Sequence, residues 1–534
     1  MNIIIGVGGT GAKVVEAVQH LATMGLGPNA LSIGFVDQDE SNGNLIRART
    51  VFDAYRKARV SWRDGSTHRI AGTDECPLLK TNLSALGGEG GLWIPDAQPN
   101  TTLARVFGPM NEDQFLFDAL FDPSSDPEQA EQRLDLSQGY RGRPHIGAAA
   151  MTLRAEARSR FWDAITEAIK GAGQQGAVRI LIAGSVFGGT GAAGFPTIAR
   201  LVRNRLKDEG IERNVDIGGI LMLPYFRFPD PGEDQDQNVA RANEQQAQAR
   251  GALLHYQHML GDGGNEEGEH IFDQLTLVGW SPPFKIDVHS KGTGTQRNPA
   301  LLPELLAACA AMHFFHSGAL DNGGGEQRIT VSARRDEKAV GWPDIPSVTE
   351  NVSEQRYLQE AVARFLRFAA AFKYWKPQIS DPNKRKSLQR DRWYKAQGLD
   401  QIGWQDDSPA QALDDLENLV DMALSWCAAI DAYARRDADH RFGLWNVGEP
   451  LVERIAFDRI DEDPRVTLAL SDDQFRRVFN AIAMKYSDID EDMPNEAKLA
   501  DYLTEYALEG QHEKMGRFIA ALYNFSDVRP IDDN

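Results

Sequence analysis

Residues 180–203 read ILIAGSVFGGTGAAGFPTIARLVR. Residues 180–183 form an apolar run of strand length, and residues 196–207 have helical spacing. Between them stand Gly188, Gly189, Thr190 and Gly191, a turn whose backbone is nearly bare. Without a Cβ the chain can approach a ligand closely, so several N–H groups can face one anion. The helix that follows adds the partial positive charge of its N-terminus. A phosphate is the natural occupant. The same residues also suit a strand–helix turn that uses glycine only for packing, and a short glycine pattern alone does not separate the two.

A second turn of this kind opens the chain. Residues 3–7 are apolar, Gly6-Val7-Gly8-Gly9-Thr10-Gly11 follows, and Val14, Val15, Val18 and Leu21 share one helical face. Residues 31–36 read as another strand, running into Asp37-Gln38-Asp39-Glu40. This βαβ order predicts a parallel sheet. Gly6, Gly8 and Gly11 fit G-x-G-x-x-G, and Asp37 stands where a ribose hydroxyl would be held. Taken alone, this end points to an NAD or FAD enzyme. The second glycine turn changes the balance, because a dinucleotide fold uses one phosphate loop. Gly147-Ala148-Ala149-Ala150 reads as a third small-residue turn, ahead of a helix predicted from about Thr152 to Lys170. Three such turns at the carboxyl ends of parallel strands can surround a nucleoside di- or triphosphate with backbone donors.

Further strands are predicted at 216–223 and 275–280, and a polar helix at 237–260. Residues 301–315 are apolar on nearly every helical side, which predicts a helix buried through the middle of the molecule. Residues 50–140 read as an irregular insertion with mobile loops. Helical spacing dominates beyond 350, at 353–376, 409–436, 471–487 and 496–523. The expected fold is α/β. It has a parallel-sheet, Rossmann-like nucleotide domain over 1–300, a central helix at 300–318 and a linker with short strands at 319–350. A mainly helical domain follows over 351–534.

The chain has 534 residues and a net charge of −20, which opposes a nucleic-acid backbone or an anionic membrane as main partner. Its three cysteines, Cys76, Cys309 and Cys427, are far apart and suggest neither a disulfide framework nor a metal site. No apolar run reaches the roughly 20 residues of a membrane span. A reducing cytoplasm is the simplest expectation.

The order and wording of these motifs resemble the tubulin/FtsZ superfamily over about residues 1–320, leaving 50–140 unmatched. Gly188-Gly189-Thr190-Gly191 looks like the core of the family's signature loop, and Gly8-Gly9-Thr10-Gly11 like its first loop. The turn around Asp37 and Asp39 is similar to its acidic second loop, Leu223-Pro224-Tyr225 to its sugar-side loop, and residues 301–315 to its central helix. Phe187, Ala192 and Ala193 depart from the signature, which usually has glycine and hydroxyl residues there. The resemblance implies GTP/GDP binding with Mg²⁺ and head-to-tail self-association into filaments or oligomers. Gly8, Gly9, Thr10 and Gly11 would meet the α- and β-phosphates. Gly188, Gly189, Thr190 and Gly191 would meet the β- and γ-phosphates, with Gly147, Ala148 and Ala149 as a third contact. Pro224 and Tyr225 would lie at the sugar, and Asn298, just before the central helix, near the base. Asp37 and Asp39 would hold the metal or its waters. Hydrolysis in the family uses acids from a loop after the central helix of the neighbouring subunit. Asp321, Glu326 and Asp344 are the candidates here by position and type. A GTPase is therefore one expectation, and a non-hydrolysing, nucleotide-gated scaffold another. The NAD or FAD enzyme stands as the third. The helical C-terminal region is where a protein partner would dock.

Overall fold

Apolar strands without polar alternation need cover on both faces, which a parallel sheet between helix layers provides. The structure, a computed structural model, describes residues 1–65, 67–72, 76–96, 101–107, 114–121, 123, 131–136, 139–140, 143–155, 159–175, 177–211, 214–227, 242–260, 270–286, 297–317, 328–334, 340–348, 355–436, 443–445, 447, 471, 496–505 and 513–526.

The first unit is β1 (Asn2–Val7), α1 (Gly8–Thr23), β2 (Ala30–Val36) and α2 (Gly43–Arg59). Next come β3 (Asn82–Ala85), β4 (Leu92–Trp93), α3 (Leu103–Phe107) and α4 (Gln114–Leu120). Then follow α5 (Pro144–Ala155), α6 (Arg160–Gln175), β5 (Val178–Ser185), α7 (Gly189–Asp208), β6 (Val215–Met222), β7 (Phe226–Arg227) and α8 (Ala242–Leu260). The domain closes with β8 (Gln274–Trp280), β9 (Phe284–Lys285), α9 (Leu302–His316) and β10 (Arg328–Arg334). The main sheet runs β10-β8-β6-β5-β1-β2-β3, with β4 also beside β2, and every pairing is parallel. β7 and β9 form a separate two-stranded parallel ribbon.

The order reverses at β1. Ile5 lies opposite Gly34 of β2 on one side and Ile182 of β5 on the other. Crossovers on the two sides go to opposite faces, so a crevice opens above the carboxyl ends of β1 and β5. Both glycine turns leave the sheet there. α1 and α9 lie against one another, and α9 is buried along nearly its whole length, as its apolar sequence requires.

The structure corrects three boundaries. Residues 50–140 contribute the end of α2 and two strands of the sheet. Their connection is held by Arg63, whose guanidinium donates to the carbonyls of Leu78 (2.8 Å), Ile70 (2.9 Å), Gly72 (2.8 Å) and Cys76. A buried arginine gathering main-chain oxygens replaces the regular pairing that a sequence pattern would reveal. Second, α5 begins at Pro144 and not near Thr152. Third, α7 begins at Gly189 and runs through Pro196. Proline cannot donate to the carbonyl four residues back; the Tyr256 hydroxyl bonds that carbonyl, of Ala192, instead. β10 lies within 319–350, where short strands are expected, and it joins the main sheet beside β8. The helix expected at 471–487 lies outside the described residues except for Ser471.

Beyond residue 350 the described elements are helices: α10 (Gln355–Ser380), α11 (Pro382–Leu388), α12 (Arg392–Ala396), α13 (Asp407–Arg436), α14 (Glu496–Glu505) and α15 (Lys514–Phe525). Lys373 of α10, fully buried, joins α13 through Glu417 and Asp421, each at 3.0 Å. These helices share one buried cluster with the α/β part. The Trp62 indole donates to Ala412 O (3.0 Å), and the His20 ring lies 5.2 Å from Trp426. Gly516 of α15 seats directly on the Arg69 carbonyl, where a Cβ would overlap it. Gly516→Val is therefore expected to destabilise the protein by about 1–3 kcal/mol, the usual range for overpacking. Urea unfolding checks this, and an unchanged midpoint would show that α15 does not sit on residue 69.

Candidate functional site

Two glycines set the geometry of the crevice. Gly8 has φ 70°, and a Cβ there would stand 2.8 Å from the Gly191 nitrogen. The first glycine turn therefore lies backbone-to-backbone on the second. Gly188 has φ 80° and immediately precedes α7. Neither Val7 nor Gly188 supplies a side-chain cap, so the first-turn N–H groups of α1 and α7 keep their hydrogen-bonding capacity. Two helix N-termini thus meet at one point, the usual physical basis of an anion site. The Ser185 hydroxyl donates to Phe187 O (2.7 Å) and holds the second turn. The Phe187 ring packs against Phe226, with centroids 5.5 Å apart, and against Tyr225.

An acidic wall follows β2. Asp37 is buried, and Thr190 of the second turn lies near its carboxylate and favours its charged form. The carboxylate also accepts from the Asp39 N–H (3.2 Å) and from Asn42 Nδ2 (3.4 Å). Burial pushes the Asp37 carboxyl up to about 7, and the charge of Asp39 adds to this against the opposing hydrogen bonds. Asp39 Oδ1 accepts from the N–H (3.0 Å) and hydroxyl (2.6 Å) of Ser41. Asn42 caps α2 by accepting from the Asn44 N–H (3.0 Å). No group of three or more His, Cys, Asp or Glu suited to a metal exists among the described residues. The acids therefore fit a hard cation that keeps its waters and is held by one or two carboxylates together with phosphate oxygens.

The profile of the family described as Tubulin like matches residues 128–249. That stretch contains α5, α6, β5, the Gly188 turn, α7 and β6. Over that stretch the chain is similar to the tubulin-like family, which supports membership of the tubulin/FtsZ-like superfamily. No curated protein matches it. No described helix of this tubulin-like protein is long and apolar enough to cross a membrane.

Beneath the first turn, the tubulin-like domain carries a buried polar network that sequence patterns did not reveal. Lys13, on α1, pairs with Glu304 of α9 and donates to Pro299 O (2.7 Å). The Tyr225 hydroxyl donates to Glu304 Oε1 (2.7 Å), and the Leu301 N–H to Oε2 (2.8 Å). Burial pulls the Lys13 ammonium down, against the attraction of Glu304. Tyr225, expected at a sugar, thus spends its hydroxyl on α9. Pro224, immediately before it, follows the carboxyl end of β6. Asn298 is held beside the first turn: its N–H donates to Asn44 Oδ1 (2.8 Å), and its carbonyl accepts from Arg47 (2.9 Å). A further wall consists of Gln38, Asp96, Tyr140 and Arg154. Gln38 exchanges hydrogen bonds with the Asp96 backbone (2.6 and 3.0 Å), Tyr140 donates to Gln38 (3.3 Å), and Arg154 meets the Asp96 carboxylate (3.1 Å). An aspartate shortly after an apolar pair was the available signal for Asp96, but β4 is only two residues long.

Other expected residues fall elsewhere. Gly147, Ala148 and Ala149 are inside α5 and make no turn; the Gly147 N–H is spent on Arg143 O (3.4 Å). Their small size serves packing, since a Cβ on Gly147 would stand 2.6 Å from Ala193 Cβ of α7. Asp344 is exposed in a 3-10 turn, Trp342–Asp344, and accepts from the Gly341 N–H (2.9 Å). The Trp342 indole of that turn donates to Leu444 O (2.8 Å), so the turn is tied to the C-terminal region. Asp321 and Glu326 lie outside the described residues.

The strongest ion pair beneath the site is testable. Arg47 grips Glu16 of α1 with Nε and Nη2, both at 2.8 Å. Burial opposes ionisation of Glu16, yet Arg47 and His20 overcome it and hold the carboxyl at about 2, below the ordinary 4.5. A depressed acid contributes stability that is present above its unfolded pKa and lost as pH falls through its folded one. Glu16→Gln should cost about 3 kcal/mol at pH 7, the scale of a broken buried pair. The difference from wild type should shrink as pH falls from about 4.5 toward about 2. Urea midpoints at pH 7 and pH 3 measure it, and a difference that grows on acidification would contradict this account.

Proposed function

We propose that this tubulin-like protein binds GTP with Mg²⁺ in the crevice over β1 and β5, and that the bound nucleotide governs head-to-tail self-association. The observation that carries this reading is the backbone contact of Gly8 with Gly191, which brings two uncapped helix N-termini together. A single turn suffices for a pyrophosphate bridge; two in contact suit a longer phosphate chain. Asp37 is consistent with the same choice, because its buried carboxylate lies near Thr190 of the second turn.

In this reading Gly8, Gly9, Thr10 and Gly11 face the α- and β-phosphates, and Gly188, Gly189, Thr190 and Gly191 the β- and γ-phosphates. Asp37 and Asp39 hold the cation or its waters. Mg²⁺, when bound, supplies neutralisation of phosphate charge. The chain's own contribution is preorganised: fixed N–H donors that need no rearrangement as charge develops. Asn298, held beside the first turn, is the candidate on the base side. Hydrolysis is slow and completed at the subunit contact, with Asp321 or Glu326 of one subunit acting on its neighbour's nucleotide. A second reading is a non-hydrolysing, nucleotide-gated scaffold of the same fold.

Denaturing purified protein and identifying the released nucleotide tests the reading directly, and released NAD or FAD would overturn it. Gly8→Val should weaken binding of a fluorescent GTP analogue by about 100-fold, nearly 3 kcal/mol, by prising the two turns apart. Unchanged affinity would remove the first turn from the site. Asp39→Ala should weaken GTP binding about tenfold in Mg²⁺ and leave it unchanged in EDTA. Equal loss under both conditions would exclude a metal role for Asp39. Light scattering with GTP but no phosphate release selects the scaffold reading.

A further inference from the structure

A cleft of about 930 Å³ lies between α5, α7 and α8. It borders Gly188, but its described lining includes no residue of the first glycine turn and neither Asp37 nor Asp39. It adjoins the crevice over β1 and β5 at Gly188 and extends away from it along α7. Its volume is that of a site for a small organic molecule.

Its floor is apolar and its architecture is braced. Pro196 withholds the helix hydrogen bond from Ala192, and Tyr256 of α8 takes that carbonyl. This link fixes α8 against α7 beside the cleft, because a buried hydroxyl that lost its partner would pay its full desolvation cost. Alanines 148, 149 and 252 face the space, with Phe187 and Tyr256 supplying aromatic surface.

Arg200 is the one formally charged side chain among the described lining residues. Arg200, His145 and His255 line the cleft, and none of the described lining residues is acidic, in a chain of net charge −20. His145 is already engaged by Glu131 at 3.2 Å. Arg200, exposed on α7, makes no ion pair among the described residues and is the group positioned to meet an incoming anion.

We propose that this cleft binds an amphipathic organic anion, with a ring-sized apolar body on the alanine and aromatic floor and one carboxylate or sulfonate at Arg200. The proposal does not depend on the nucleotide reading.

The probes are 1-anilinonaphthalene-8-sulfonate, an aromatic anion, and N-phenyl-1-naphthylamine, its neutral analogue, titrated by fluorescence against the full chain. Wild type should bind the sulfonate saturably at one site. Ala252→Trp, which fills the floor, should abolish that site for both probes. Arg200→Glu, an exposed change that leaves the fold intact, should weaken the sulfonate about tenfold and leave the neutral probe within about twofold. Equal weakening of both probes by Arg200→Glu would overturn the anion assignment. Sulfonate binding that survives both substitutions, or no saturable binding to wild type, would overturn the site itself. Unfolding midpoints and circular dichroism of each variant show that it is folded when the probes are compared.

Discussion

The molecule depends on one close approach. The backbone of Gly8 touches that of Gly191 where β1 and β5 run side by side. Any side chain at Gly8 would force the two turns apart, and with them the helices that begin there. Gly11 shows the same constraint one turn on, since a Cβ there would run into the carbonyl of Ala183. Such glycines weaken local structure through chain entropy. They are tolerated because the buried strands β1 and β5 and helix α1 hold the conformation from outside.

That hold is partly ionic. α1 carries Lys13 and Glu16 two and five residues after Gly11, and both are buried. Lys13 reaches Glu304 at the start of α9, and Glu16 reaches Arg47 of α2. Arg47 in turn bonds Asn298 O, just ahead of α9. The helix leaving the first turn is thereby fixed to two neighbours by paired charges. Unpaired, each would be costly in so dry a setting. Movement of the first turn would disturb pairs that have no water to replace them, so it is coupled mechanically to the start of the central helix.

Much of this was legible in the residues. The apolar runs ending at Val7 and Ala183, each meeting glycine, located β1, β5 and the two turns, and residues 301–315 announced a buried helix. What remained hidden is tertiary in origin. Gly147 to Ala149 looked like a third turn because small residues serve both bare backbone and tight helix packing; only Ala193 across the interface separates the two uses. Pro196 looked like a helix start because the pattern could not show Tyr256 taking the Ala192 carbonyl. The strands β3 and β4 are too short for a period, and the arginine that organises their approach, Arg63, bonds main-chain oxygens among the described residues. The Lys13–Glu304 pair joins residues nearly three hundred positions apart, and no local spacing encodes it.

The acidic wall gives the crevice an internal charge balance. Asp37 is buried, lies close to Asp39, and holds its proton up to about pH 7. An added polyphosphate would raise the cost of its ionisation further, since like charges at short range oppose one another. An added dication would do the reverse and draw the proton off. The donors at the two helix N-termini attract anions while the acidic wall opposes them, and Thr190 of the second turn lies near Asp37. Such a site favours a ligand that brings its own positive charge over a bare anion. On the proposed reading, this electrostatic balance suits a metal–polyphosphate complex better than phosphate alone.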